Sequence, residues 1–501
     1  MNAPLPAPPV APPVSPPVPP SVAPPVAPPV APVPAPAPAA AQSALSAPSV
    51  LRGTAVNLVA RLAAVVRMLG ITTFSARLGP QVQGAFALFT SVEAVLLALF
   101  SGFGVALARR VSHHGEVPRA LLSATVCACL VLGLGAALLL WAVSVHGGVA
   151  YRSLWLLALA APLLLLAPNI AGWWLGEGRM GPLAAVALAP PALTLATLSL
   201  LHVWAALTLM TVLWAWVSAK VLVAVATLLV MATSARLAWP ARSARLAWPL
   251  WVLRALRALW APLAAVLPFV ATIGATNLIG LLNYRVGLFV IERQLGLSAT
   301  GVYSIAVVVA ELLWFVSGSL TQAVYGRIGT PDAARAAATT LRVVQLSALA
   351  LLAVAPCLVL AAVWGIPLLL GPAYADSLPL LAWLLPGVLV FGAASALSAY
   401  FTNHAGQPRV PAQVAALSLC INAGLALLWV PVLGMRGAAL AASVAYSASV
   451  GVLAWRFVRH AGLPLSALWR PGPHLGDDLR GLRDAMWRVL AALRLAFKIK
   501  P

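Results

Sequence analysis

A chain of 501 residues that is 62% hydrophobic and only 8% charged, with a mean hydropathy of +0.98, carries too much apolar surface for a water-soluble fold. Its 31 lysines and arginines against 10 acids give a net charge of +21, which in a soluble protein would point to nucleic acid. In a bilayer the same excess belongs to cytoplasmic loops, so membrane lipids are expected as partners and nucleic acid is not. The cysteines, Cys127, Cys129, Cys357 and Cys420, all lie in apolar runs without a C-x-x-C pair and read as small core residues, not as a metal or redox site.

Residues 1–50 repeat units such as APPVAPPVAP, with 18 prolines in the first 40 positions, and so poor a supply of backbone donors predicts an extended or disordered tail. No basic region precedes an uninterrupted apolar core there, so a secretory signal is not expected. Apolar stretches then recur near 54–76, 85–107, 120–144, 153–175, 183–203, 207–232, 259–281, 301–325, 340–363, 379–402, 411–430 and 437–457. About 20 apolar residues cross the hydrocarbon core as a helix, and helices satisfy their own backbone in that solvent. The expected fold is therefore an all-α polytopic membrane protein with about 12 transmembrane helices. The run at 282–300 is ambiguous, because the seventh helix could extend through it to about Leu295.

The organisation expected is a tail at 1–50, a six-helix lobe at 51–233, a basic linker at 234–258, a second six-helix lobe at 259–460 and a basic tail at 461–501. The linker holds SARLAWP twice, at 234–240 and 243–249, and reads as a lengthened solvated loop. In the last tail Leu479, Leu482, Met486, Val489, Leu490, Leu493 and Phe497 share one helical face, which suits an amphipathic helix on the anionic leaflet or against the bundle. With both termini cytoplasmic, 23 of the 31 cationic residues fall inside and five outside; Arg61, Arg67 and Lys220 lie within spans. That bias sets the expected orientation.

The two halves are related by a repeat. LGPQVQGAF at 78–86 and LGLSATGVY at 295–303 share the pattern L-G-x-x-x-x-G-x-aromatic at an offset of 217 residues. Arg67 and Arg285 precede the two Leu-Gly pairs by ten or eleven residues, and Glu93 and Glu311 follow the second glycines by nine or ten. Six spans separate the copies, so the halves are expected to be parallel repeats about an axis along the membrane normal. Ten residues of helix rise roughly 15 Å, about half the hydrocarbon thickness, which puts all four charges near the midplane. Four such charges facing lipid would cost about 10–14 kcal/mol, so they are expected to face one another or a wet cavity between the halves.

Lys220, near the centre of the sixth span, and Arg61, six residues before Arg67 and turned about 120° from it, bring the buried total to +4 and −2. A chamber with net charge +2 suits an anionic ligand and opposes a cationic one. The competing reading is that Arg67, Arg285, Glu93 and Glu311 form ion pairs that only lock helices together. Glu292 and Arg293 lie close to the second Leu-Gly turn and read as interfacial.

ARLGPQVQGAFALFTSV, NYRVGLFVIERQLGLSATGVYSIAVVVAELLW, LLPGVLVFGAASALSAYFTNHAGQPRV and PVLGMRGAALAASVAYSASV resemble the oligosaccharide flippases of bacterial surface-polysaccharide assembly. These belong to the multidrug/oligosaccharidyl-lipid/polysaccharide exporter superfamily, and the similarity runs from about residue 51 to 460. The resemblance implies a MATE-like fold of two six-helix lobes around a cationic cavity. It also implies movement of an undecaprenyl-pyrophosphate-linked oligosaccharide from the cytoplasmic to the periplasmic leaflet of the inner membrane by alternating access. The substrate would serve O-antigen, capsule or exopolysaccharide synthesis, with polymerase and chain-length regulator proteins as pathway partners.

Arg67 and Arg285 match the family's buried arginines of the first and seventh helices. Arg67, Arg285, Arg61 and Lys220 would meet the pyrophosphate, Glu93 and Glu311 would couple or pair, and Asn277, Asn283, Tyr284 and Gln322 would touch the glycan. No cofactor is expected. The alternatives are a membrane-embedded polysaccharide polymerase or glycosyltransferase, which needs outward-facing acids beyond Glu292 and Asp376, and a multidrug cation antiporter, which needs an acidic chamber.

Overall fold

The computed structural model describes residues 66–114, 119–234 and 260–470, together with 476 and 480. The Pro-rich head, Arg61, most of the linker at 234–258 and nearly all of the tail at 478–498 lie outside them. The chain is an all-helical, multi-pass membrane protein: eleven described segments are long and apolar enough to cross a bilayer. The remaining expected span is the first, of which only helix α1, at 66–77, is described.

The other helices, in order, are α2 (Pro80–Phe100), α3 (Gly102–His114), α4 (Arg119–His146), α5 (Leu154–Leu164), α6 (Leu166–Gly176), α7 (Met180–Val203), α8 (Leu209–Thr233) and α9 (260–264). They continue as α10 (Leu267–Leu295), α11 (Leu297–Ile328), α12 (Ala333–Leu369), α13 (Ser377–Ala393), α14 (Ser395–Ala399), α15 (Arg409–Leu433) and α16 (Met435–His460). Helix α10 runs unbroken through the charged stretch, so 282–295 belongs to the seventh span. Three spans are jointed. α2 passes into α3 at Ser101, whose hydroxyl donates to the Ala98 carbonyl at 2.7 Å. α5 passes into α6 after Pro162, whose ring cannot continue the hydrogen-bond ladder. The tenth span ends in a π-turn over Tyr400–His404.

Packing repeats as the sequence does. In the first half α3 lies on α6, α4 on α5, and α8 on α5, α6 and α7; in the second, α11 lies on α12 and α13, α13 on α16, and α15 on α16. Buried apolar side chains accordingly form one cluster from the first half and others from the second, with exchanges at the boundary. Leu263, Val266 and Val270 join the first-half cluster, and Ala76 joins a second-half one. The halves meet through α2 against α10 and α11, and α3 against α10.

Cys129 is buried and Cys127 half-buried, but Cys357 and Cys420 are exposed on helix faces, so the reading of all four as core residues is corrected. In a bilayer a thiol is apolar enough to face lipid, and an apolar run does not reveal which side faces the protein.

Candidate functional site

Gly79 and Gly296 sit at φ +108° and +83° at the starts of α2 and α11, a left-handed backbone that glycine tolerates and that lets each helix begin directly after its Leu-Gly turn. The two helices then cross at the second glycines of the repeat. Just inside this crossing, Gln83 bridges three helices: its Oε1 accepts from Ser75 Oγ at 2.5 Å, and its Nε2 donates to Ser304 Oγ at 3.1 Å.

Beneath that bridge a cavity of about 340 Å³ opens between the halves, lined from α1, α2, α7, α8, α10 and α11. Arg67, Gln83, Trp216, Arg285, Ser304 and Glu311 supply its polar and aromatic wall. The sequence repeat therefore does place both arginines on one chamber, but their environments differ. Arg285 meets Glu311 as a two-point fork, Nη1 to Oε1 at 3.3 Å and Nη2 to Oε2 at 3.4 Å. Arg67 has Nε and Nη2 buried with no hydrogen-bond partner.

Glu93 faces elsewhere. Its side chain is 2% exposed, and both oxygens are used by α8: Lys220 Nζ donates to Oε1 at 2.5 Å and the Trp216 indole N–H to Oε2 at 2.6 Å. The Lys220 ammonium also lies 4.1 Å from the Trp216 ring centroid, and Phe86 meets that ring edge-on at 5.4 Å. Lys220 and Glu93 thus neutralise each other behind Trp216 and hold its indole in the cavity wall. The charged groups lining the chamber are Arg67, Arg285 and Glu311, a net of +1 among the described residues, where the sequence count gave +2.

The four residues expected to touch glycan lie outside this wall. Asn277 donates to Ser101 Oγ at 2.8 Å, at the joint of α2 and α3. Asn283 is buried in the second half, where its backbone carbonyl accepts from Asn422 Nδ2 at 2.9 Å and from the Tyr446 hydroxyl at 3.4 Å. Tyr284 joins an aromatic cluster with Trp314, Phe391 and Tyr446. Gln322 is exposed towards the far end of α11. Gln83, Ser304 and Trp216 were not singled out from the sequence. Gln83 sits inside the repeat motif and Ser304 follows its second copy, so polar residues within the motif were the available signal.

No family model matches the chain, and no curated protein matches it either. Solved structures do. One is a multidrug resistance MATE family transporter of the MOP superfamily in an inward-facing conformation, with a TM-score of 0.63 at 17% identity over 80% of this chain and 94% of that one. The fold is MATE-like. Another is the lipid II flippase MurJ in an inward closed conformation, with a TM-score of 0.58 at 12% identity over 82% of this chain and 89% of that one. A third is a MOP superfamily transporter from Pyrococcus furiosus, described with a binding pocket of reversed polarity, with a TM-score of 0.53 at 14% identity over 82% of this chain and 94% of that one. Within the MATE-like fold of this chain, the cavity lies where its two halves face each other.

Proposed function

We propose that the chain is a flippase that carries an undecaprenyl-pyrophosphate-linked oligosaccharide from the cytoplasmic to the periplasmic leaflet of a bacterial inner membrane, in surface-polysaccharide synthesis. The observation that carries this reading is Arg67, a guanidinium with buried, unpartnered donors on the wall of a chamber between two lobes. A planar guanidinium donates to phosphate oxygens two at a time, and a pyrophosphate brings at least two negative charges. Arg285 stands on the same wall, held by Glu311. Trp216 offers a clamped aromatic surface, and Gln83 and Ser304 offer hydrogen-bonding groups, to the sugars that follow the pyrophosphate.

In this reading both termini are cytoplasmic and the Leu-Gly turns face the periplasm, which the distribution of cationic residues supports. Likeness in fold to a multidrug transporter motivates a second reading, export of organic cations. Against it, Glu311 is the one acid among the described lining residues, and Arg285 already occupies its carboxylate. The test is accumulation of lipid-linked repeat units in cells carrying Arg67→Ala plus Arg285→Ala, with insertion checked by a fluorescent fusion. Build-up on the cytoplasmic face of a normally inserted double variant supports the flippase; undisturbed export overturns the part given to the two arginines and with it the cationic-cavity mechanism.

A further inference from the structure

A second repeat lies in the short connections after the third and ninth spans. Gly148-Val149-Ala150-Tyr151 and Gly371-Pro372-Ala373-Tyr374 share the pattern G-x-A-Y at an offset of 223 residues. Each glycine sits at positive φ, +89° for Gly148 and +96° for Gly371, and each opens one turn of 3-10 helix, Val149–Tyr151 and Pro372–Tyr374, that ends on the tyrosine. The first turn packs on α2 of its own half, and the second on α11 and α12 of its own.

Both tyrosines reach across to the opposite half, and each grips the end of that half's first helix. The Tyr151 hydroxyl donates to Glu292 Oε2 at 2.6 Å, three residues before α10 ends. The Tyr374 hydroxyl donates to the Ala76 carbonyl at 2.9 Å, one residue before α1 ends. Ala76 and Arg293, the neighbour of Glu292, stand 217 residues apart, the same offset as the Leu-Gly repeat. The two contacts are therefore pseudo-symmetric copies of one device. A further bond joins the halves at the same end, from Arg77 Nε to the Leu369 carbonyl at 3.0 Å.

We propose that Tyr151 and Tyr374 are paired latches that hold the two halves closed at the Leu-Gly end, and that both bonds break when this end opens. Tyr151 is half-buried, so its hydroxyl can let go of Glu292 with little loss of packing, whereas Tyr374 is buried in one cluster with Ala76 and its release also separates that apolar contact. Such latches act on the relative movement of the halves and operate whatever the cavity carries.

The test uses the full chain in lipid nanodiscs with the four native cysteines replaced by serine. Spin labels are attached through His146→Cys and Leu368→Cys, exposed sites at the ends of α4 and α12. Distances are then read by double electron–electron resonance. Removing one hydroxyl by Tyr151→Phe or Tyr374→Phe is expected to raise the ratio of the longer-distance population to the shorter about fivefold, and removing both more than tenfold. Tyr446→Phe, whose hydroxyl bonds the Asn283 carbonyl within one half, is expected to leave the distribution unchanged. A parental distribution in the monodisperse double Phe variant overturns the latch. Should that variant not fold, Glu292→Ala is expected to reproduce Tyr151→Phe and add nothing to it; a fully additive shift overturns the direct bond.

Discussion

Gly84 and Gly301 lie against each other's helices in a reciprocal contact. A methyl group on Gly84 would sit 2.0 Å from the Leu297 carbonyl oxygen and 3.0 Å from the Gly301 nitrogen, and one on Gly301 would sit 1.9 Å from the Pro80 carbonyl oxygen and 3.0 Å from the Gly84 nitrogen. Both pairs are separated by the repeat offset of 217, so the pseudo-two-fold axis passes between the two glycines. The neighbours are backbone and cannot rotate away. Gly84→Ala and Gly301→Ala are each expected to cost at least about 1–3 kcal/mol. Thermal unfolding in detergent should show this as a lowered Tm for either variant, and an unchanged Tm in both would mean that the crossing is loose.

The unequal surroundings of the two cavity arginines predict unequal consequences. Arg67→Ala removes a guanidinium that has buried donors without partners, so stability should change little while transport falls. Arg285→Ala strands the Glu311 carboxylate, and breaking such a pair costs about 3–5 kcal/mol. Adding Glu311→Ala should restore much of that loss. Tm values of the three variants, beside export measured in cells, separate the two roles.

The clamp behind Trp216 makes a similar prediction. Lys220→Met leaves the buried Glu93 carboxylate without its cation, an expected loss of about 3–5 kcal/mol, and Lys220→Met with Glu93→Gln should recover most of it. Trp216→Phe keeps an aromatic ring but loses the 2.6 Å bond to Glu93. Export of the lipid-linked glycan should fall more in Trp216→Ala than in Trp216→Phe, and equal losses would remove the ring from the substrate surface.

Orientation has its own check. A fluorescent reporter fused after Pro501 should be bright, and alkaline phosphatase fused there should be inactive, if the proposed orientation with a cytoplasmic cationic tail holds. The opposite pair of signals would invert the assignment of the Leu-Gly end.

Much of the fold was legible because a bilayer narrows the choices. Long apolar runs must be helices, and the spacing of Arg67, Glu93, Arg285 and Glu311 about the Leu-Gly pairs carried the repeat. Which acid meets which cation was not legible, because it depends on how each helix is rotated about its axis. The repeat places Arg67 and Glu93 in one copy as it places Arg285 and Glu311 in the other, but only the second two meet; Lys220 and Trp216 of α8 bond Glu93. The same blindness to rotation hid the placing of Asn283 and Tyr284, two and one positions before Arg285, neither of which lines the cavity. Helical neighbours differ by about 100°, so adjacent residues in one span rarely share a wall.

The most direct test of the cationic chamber is binding of undecaprenyl pyrophosphate to the purified chain, followed by native mass spectrometry, with uncharged undecaprenol as the comparison. Arg67→Ala is expected to weaken binding of the pyrophosphate lipid at least about tenfold, the scale of one lost charge-assisted contact, and to leave undecaprenol unaffected. Equal binding of the pyrophosphate lipid by the parental chain and Arg67→Ala would contradict it.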